Sequence, residues 1–387
     1  MERSLIYLDY QATTPLDDEV ADAVNDAGRR YWANPSSPHM AGMKSQEAIN
    51  SARRKMARLL GCKPRELFFT SGATEANNWV ISMVEPSPAN HIITTAIEHK
   101  SMLDAARAFE RSGGDLTVLP VSRDGFIDAK DVKATIKPTT RLVSVMAANN
   151  EIGSIQPIAG IASVTKEAGI PLHSDATQAI GYLLEDLNAF PADLISFSSH
   201  KIYGPKGVGA LYISDAFQRS NDGVPSLLHG GGQEGGKRPG TENLPAIVGF
   251  AKALEISRNA QDSERARVQE LKSMFLDLLL ARHPDITANS PATDCLPNCL
   301  NIRIPGVDAG DLMAAVPKIA VSAGSACNSS DQKPSHVLTA IGLGPDDARF
   351  SIRIGFGRST TSEEAAEAAL ALSASVSRIK AMLLYRP

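Results

Sequence analysis

Between residues 65 and 215 the chain alternates two hydrophobic patterns. Short continuous apolar runs, LFFT (67–70), HIITTAI (91–97), RLVSVMA (141–147), IPLHSDA (170–176), DLISFS (193–198) and VGALYIS (208–214), are rich in β-branched and aromatic residues. They are too short for helices and lack the polar-apolar alternation of a half-exposed strand, so they predict strands buried on both faces. Between them, apolar residues recur at helical spacing. One helix is predicted over Ala73–Val84 and another over Lys100–Arg111, the latter with Met102, Leu103, Ala106 and Phe109 on one face. A third runs from Pro157 to Ala168 and is stopped by Gly169. Strands separated by helices predict an α/β domain with a mainly parallel sheet.

The pattern changes after the glycine-rich stretch HGGGQEGGKRPGTEN (229–243). A long helix is predicted from Pro245 to about Arg282. It is followed by a strand (299–304), a helix (308–316), a strand (319–324), a helix (334–341), a strand (350–356) and a final helix, with Thr361 and Glu364 spaced as a capping box. This divides the chain into a large domain, 15–258, and a smaller α+β domain formed by 1–14 and 259–387. A length of 387 residues suits one large and one smaller domain.

Charge and composition narrow the function. A net charge of −4 gives no basic field to draw nucleic acid or an acidic membrane. No apolar run approaches the roughly 18 residues of a membrane span. The opening MERSLIYLDYQATTP lacks the apolar core of a secretion signal, so a cytoplasmic location is expected. Cys62, Cys295, Cys299 and Cys327 are expected to be free thiols. Cys295 and Cys299 have no second Cys/His pair to complete a closed zinc site, so no metal is expected.

In open parallel sheets ligands sit beyond the carboxyl ends of the strands. Those ends carry Ser71-Gly72-Ala73-Thr74, Glu98-His99, Asn149-Asn150-Glu151, Asp175 with Gln178, and Ser198-Ser199-His200-Lys201. Singly, each reads as a turn or a surface residue. Together they place a lysine able to form a Schiff base, an acid able to pair with a pyridinium nitrogen and a helix start able to hold a phosphate at one edge. The glycines at 230–236 follow no clear strand and open no helix, so they do not make a dinucleotide fingerprint.

The runs YLDYQATTP (7–15), FTSGATEANN (69–78), EHKS (98–101), NNEIG (149–153), HSDATQAIG (173–181), SFSSHKIYGPKGVGALY (196–212), GGGQEGGKRPGTEN (230–243), SAGSACNSS (322–330) and SIRIGFGR (351–358) resemble the cysteine desulfurases of the NifS/IscS type. The resemblance implies a fold-type I pyridoxal-phosphate enzyme, a homodimer, that converts L-cysteine to L-alanine and leaves the sulfur as a persulfide on the chain. It assigns Lys201 to the Schiff base, Asp175 to the pyridine nitrogen, Gln178 to the ring hydroxyl and His99 to ring stacking and proton transfer. Ala73, Thr74, Ser198 and His200 fall at the phosphate, with Thr241 reaching it from the partner subunit. Asn150 and Arg353 fall at the substrate carboxylate, with Asn150 also against the cofactor and Asn34 in the same neighbourhood. Cys327 is the sulfur acceptor. Its flanks, Gly324-Ser325-Ala326 and the polar NSSDQKPS, suit an exposed, mobile loop, although a lone cysteine also suits a small buried hydrophobe.

On this reading Lys201 takes the Cα proton and the Cys327 thiolate attacks the substrate sulfur. The chain departs from its relatives at Gly235, where they often carry Arg, and at Lys333, where many carry Glu. It ends at Tyr385-Arg386-Pro387 without the longer tail that IscS-type enzymes use to dock a scaffold. The protein that accepts the sulfur is therefore left open among iron–sulfur assembly, transfer-RNA thiolation and DNA phosphorothioation. An aminotransferase or a selenocysteine lyase of the same fold, or a non-catalytic subunit that binds a sulfur carrier, are the competing readings.

Overall fold

A computed structural model describes residues 5–184, 186–220, 224–323 and 334–384. Seven strands form the central sheet in the order Leu67–Thr70, Gly209–Ile213, Leu194–Ser198, Leu172–Asp175, Thr140–Ser144, His91–Thr95, Asp115–Leu119. Neighbours are parallel except for Gly209–Ile213, which is antiparallel to both strands beside it. Successive strand residues face opposite sides, as the pleat requires. Ile93, Val143, Ile195 and Ala210 enter one core, and Ile92, Leu142, Leu194 and Leu211 enter another. Covering both faces with helices explains why these strands carry continuous apolar runs.

The edge strand Asp115–Leu119 was not read from the sequence. It follows Gly113-Gly114, is mostly half-buried, and pairs on one side only. The predicted helices are found at Ala73–Ser82, Lys100–Arg111 and Ile158–Glu167.

A second core holds Ile6, Leu8, Val268, Phe275, Ile302, Leu312, Ile354, Phe356 and Leu372. It is built on an antiparallel sheet in the order Ser322–Ala323, Ser351–Gly355, Cys299–Arg303, Thr287–Ala288. The single strand expected at 319–324 is two. Ile319–Ala320 pairs in parallel with Ile6–Tyr7, and Ser322–Ala323 pairs with Ser351–Gly355. The chain changes sheets at Val321, which a linear hydrophobic pattern does not record.

One unbroken helix, Leu244–Leu280, joins the two cores. Its first half buries Ile247, Phe250 and Leu254 in the large core, and its second half buries Val268, Leu271 and Phe275 in the smaller one. Residue 258, the expected end of the large domain, lies within this helix. Glu364 N–H donates to Thr361 Oγ1 and Thr361 N–H donates to the Glu364 carboxylate, so the last helix, Ser362–Leu384, carries the reciprocal cap its sequence suggested.

One contact in the sheet positions the site. A Cβ on Gly209 would lie 2.7 Å from Gly72 Cα and 2.7 Å from the Phe197 carbonyl oxygen. Glycine at 209 lets the turn before the Ala73–Ser82 helix rest directly on the sheet.

Candidate active site

A cavity of about 930 Å³ opens beyond the carboxyl ends of the central strands. Lys201 follows the Leu194–Ser198 strand, in a short 3₁₀ turn. Its Nζ donates to the backbone carbonyls of Gln11 and, at 2.9 Å, Ala12. Gln178 Nε2 donates to the same Gln11 carbonyl at 3.0 Å. The segment 11–14 thus forms one wall. Thr14 Oγ1 donates to the His200 carbonyl at 3.0 Å, and Thr13 Oγ1 contacts His200 Nδ1 at 3.1 Å. Burial, with Lys201 and Lys206 nearby, pushes His200 down to about 4, so the ring is neutral near pH 7.

Asp175 ends its strand and is 4% exposed. Two donors hold its carboxylate: Asn77 Nδ2 at 2.8 Å and the Thr177 backbone N–H at 3.0 Å. Asn77 also donates to Ser101 Oγ at 2.9 Å, and Ser101 Oγ contacts His99 Nδ1 at 2.8 Å. A chain of hydrogen bonds therefore ties the acid at 175 to the histidine at 99. His99 Nδ1 accepts the Ser101 backbone N–H at 3.1 Å, capping the Lys100–Arg111 helix. A nitrogen that accepts an N–H carries no proton, so the neutral ring bears its proton on Nε2. Burial pushes the His99 pKa down and favours that neutral form.

Two observations fit this cavity to a phosphorylated pyridine aldehyde. The Ala73–Ser82 helix starts at the cavity with no side chain capping it, which leaves first-turn N–H groups for an anion. Thr177 Oγ1 is buried without a hydrogen-bond partner beside the carboxylate of Asp175. Within the lining, Lys201 supplies an amine, Asp175 a carboxylate and His99 a neutral imidazole.

Next to the segment 11–14, Arg353 Nη2 donates to Asp9 at 2.8 Å and Nη1 to the Asn150 carbonyl at 3.0 Å, while Nε is buried without a partner. Glu151 lies beside it, 7% exposed, with Ser335 Oγ donating to its carboxylate. Burial pushes Glu151 up to about 7, against the lowering pull of Ser335, Arg353 and Lys100.

Lys201, His99, Ala73, Thr74, Asn150, Asp175, Gln178, Ser198, His200 and Arg353 all line this one cavity. Asn34 and Thr241 do not. Asn34 is exposed, and its side-chain oxygen accepts the Ser36 N–H at 2.9 Å. Thr241 is exposed beyond a loop that Arg238 ties to Glu75 of the Ala73–Ser82 helix. Cys327 lies outside the described residues, as do Gly324-Ser325-Ala326 and Lys333, whereas Pro334, Ser335 and His336 line the cavity. Sequence reasoning missed Asn77, Ser101 and the carbonyls of Gln11 and Ala12. Asn77 carried a usable signal, a polar residue on the buried face of a helix with Ala76, Val80 and Ile81.

Away from the cavity, burial pushes the Cys62 and Cys299 thiols up to about 12, and Lys272 Nζ donates to Cys295 Sγ at 3.4 Å. Among the described residues no group of three or more His, Cys, Asp or Glu is arranged to hold a metal, and no helix is long and apolar enough to cross a membrane.

Residues 6–367 match the model of the family described as aminotransferase class-V. The cysteine desulfurase of Homo sapiens is 44% identical over 363 residues, covering 93% of this chain and 79% of the human protein. A solved structure described as a NifS-like protein superposes with a TM-score of 0.87 at 33% identity, covering 99% of this chain and 100% of that one. Another, described as SspA in complex with cysteine, superposes with a TM-score of 0.80 at 36% identity, covering 91% of this chain and 98% of that one.

Proposed function

This chain belongs to the aminotransferase class-V family, and we propose that within it the chain works as a pyridoxal-phosphate-dependent cysteine desulfurase, taking L-cysteine to L-alanine and passing the sulfur to Cys327. The observation that carries this reading is the convergence of Lys201, Asp175, His99 and Arg353 on one cavity with an uncapped helix start. Bound there, the cofactor would supply an electron sink for the charge that develops at the substrate Cα.

The residues of the chain divide the remaining work. Lys201 would hold the cofactor aldehyde and, once released, take the proton from Cα; the carbonyls of Gln11 and Ala12 aim its amine. Asp175 would hold the pyridine nitrogen in its protonated form, and Asn77 with the Thr177 N–H fixes the carboxylate for that task. The N–H groups of Ala73 and Thr74, with Ser198 and His200, would hold the phosphate. Gln178 would meet the ring hydroxyl, and neutral His99 would stack on the ring and move a proton through Nε2. Arg353, with Asn150, would take the substrate carboxylate, the pairing a guanidinium makes best. Cys327 enters through its match to the sulfur-accepting cysteine in SAGSACNSS. Thr241, exposed on one chain, suits a contact to the phosphate of a second copy in a homodimer. A protein acceptor would then draw the persulfide sulfur toward iron–sulfur assembly or another thiolation pathway.

Two variants test the reading. Cys327→Ala is expected to keep the visible absorbance of the bound cofactor and lose formation of alanine and sulfide from cysteine. Lys201→Ala is expected to lose the borohydride-fixed cofactor as well. Undiminished sulfide release by Cys327→Ala would overturn the assignment.

A further inference from the structure

We propose that Glu151 binds the substrate as a neutral carboxylic acid, donating a hydrogen bond to the carboxylate that Arg353 and Asn150 hold. The inference rests on the carboxylate reading of Arg353. Arg353 is already ion-paired with Asp9 at 2.8 Å, so the pair is close to neutral before any substrate arrives. A substrate carboxylate adds one negative charge at a buried place, and an ionised Glu151 would add a second beside it. Two carboxylates sharing a buried site cannot both ionise cheaply, and one of them keeps its proton.

The backbone of Glu151 is fixed on both sides, and Ser335 Oγ holds its carboxyl at the cavity. Its N–H donates to Asn149 Oδ1 at 2.8 Å, and its carbonyl accepts Asn301 Nδ2 at 3.1 Å. Only one carboxylate oxygen is claimed by Ser335 Oγ, and the side chain lines the cavity next to Asn150. The charged and titratable groups around it are Arg353 of the Ser351–Gly355 strand with Asp9, Lys100 of the Lys100–Arg111 helix and His99 that caps it, the Cys299 thiol from the Cys299–Arg303 strand, and His336 next to Ser335. Lys100 and Arg353 favour the ionised form, but burial outweighs them and pushes Glu151 up to about 7. At neutral pH the acid form is therefore well populated, and an arriving anion raises that population further.

The test uses the holoenzyme and the product L-alanine, which carries the same carboxylate and no thiol. Affinity is read by calorimetry from about pH 6.5 to about pH 8.5, in buffers of different ionisation enthalpy. Glu151→Gln keeps a neutral donor at every pH. Wild-type affinity is expected to fall roughly twentyfold more than that of Glu151→Gln over this range, as one required proton near pH 7 dictates. Slopes that both proteins share belong to other groups. Wild type is also expected to take up close to one proton on binding at the upper end. Equal slopes, or no proton uptake by wild type, would overturn the proposal, and the second measurement needs no variant to fold. Arg353→Lys separates the two readings. If it binds L-alanine as well as wild type does, the carboxylate reading fails and takes this proposal with it. Failure of the Glu151 measurements alone leaves Arg353 in place.

Discussion

Replacing Gly209 with alanine adds one methyl group, yet it should release the cofactor. Two backbone atoms, Gly72 Cα and the Phe197 carbonyl oxygen, each lie 2.7 Å from the position of the new carbon, and neither can rotate away as a side-chain tip could. Ordinary van der Waals contact begins at 3.4 Å, so the turn at Gly72 must lift from the sheet by about 0.7 Å in a core with no slack. A hydrogen bond of about 2.9 Å from the Ala73 or Thr74 N–H to a phosphate oxygen would stretch to about 3.6 Å, beyond the useful range. Each such bond to an ionised acceptor is worth about 1.5–3 kcal/mol. Losing even one and a half of them weakens cofactor binding by about a hundredfold, and the overpacking itself costs about 1–3 kcal/mol of stability. The assay is reconstitution of the apoprotein with pyridoxal phosphate, followed by visible absorbance. Gly160→Ala is the matched control. Its Cβ would meet only Ala129 Cβ, at 3.7 Å, within the Ile158–Glu167 helix, so neutral or slightly stabilising behaviour is expected. A Gly209→Ala protein that binds the cofactor within about threefold of wild type would refute the argument from close approach.

Asn77→Ala removes one hydrogen bond to the Asp175 side chain and one to Ser101, a combined loss of about 3 kcal/mol. It should lower both the urea midpoint of the apoprotein and the affinity for the cofactor, and a change in neither would show that Asn77 does not orient Asp175. Glu98 gives a pH test. Burial pushes it up to about 8 from 4.5, so above pH 4.5 the folded protein keeps a proton that the unfolded chain releases. The stability from that retained proton is fully present below about pH 4.5 and lost as the pH rises through about 8. Glu98→Gln has no such loss, so its urea midpoint relative to wild type should improve steadily from about pH 5 to about pH 8. A constant difference would contradict the assignment of a neutral, buried Glu98.

The legible parts of this fold were those whose physics is local. Six of the seven central strands announced themselves because burial on both faces leaves a run such as LISFS without charged residues and without strict alternation. The seventh, Asp115–Leu119, has one neighbour and partial exposure, and so lost the signature that marked the others. At the site, Lys201, Asp175 and His99 could be placed because each stands at the carboxyl end of a strand or within four residues of it. The groups that aim them could not. Gln11 and Ala12 act through backbone carbonyls, which any residue possesses, and reach Lys201 from the far end of the sequence. Glu151 stands in the NNEIG run, but its raised proton affinity comes from burial, which outweighs the opposing pull of Ser335 and Arg353, and that burial is assembled from segments far away along the chain.

The pairing of Ile6–Tyr7 with Ile319–Ala320 carries a consequence for how the protein is made. Synthesis runs from the amino end, and roughly three hundred residues must leave the ribosome before the partner of that first strand exists. Until then Ile6 and Leu8 have no completed small core to enter, and the segment that follows them, whose carbonyls hold Lys201, lacks its anchor. The large sheet can form early on the growing chain, while the wall of the cavity formed by residues 11–14 settles near the end. Between the emergence of Ile213, which completes the sheet, and that of Ile319, the chain can hold a folded sheet with an unfinished site, so cofactor capture is expected to follow the sheet rather than to nucleate it.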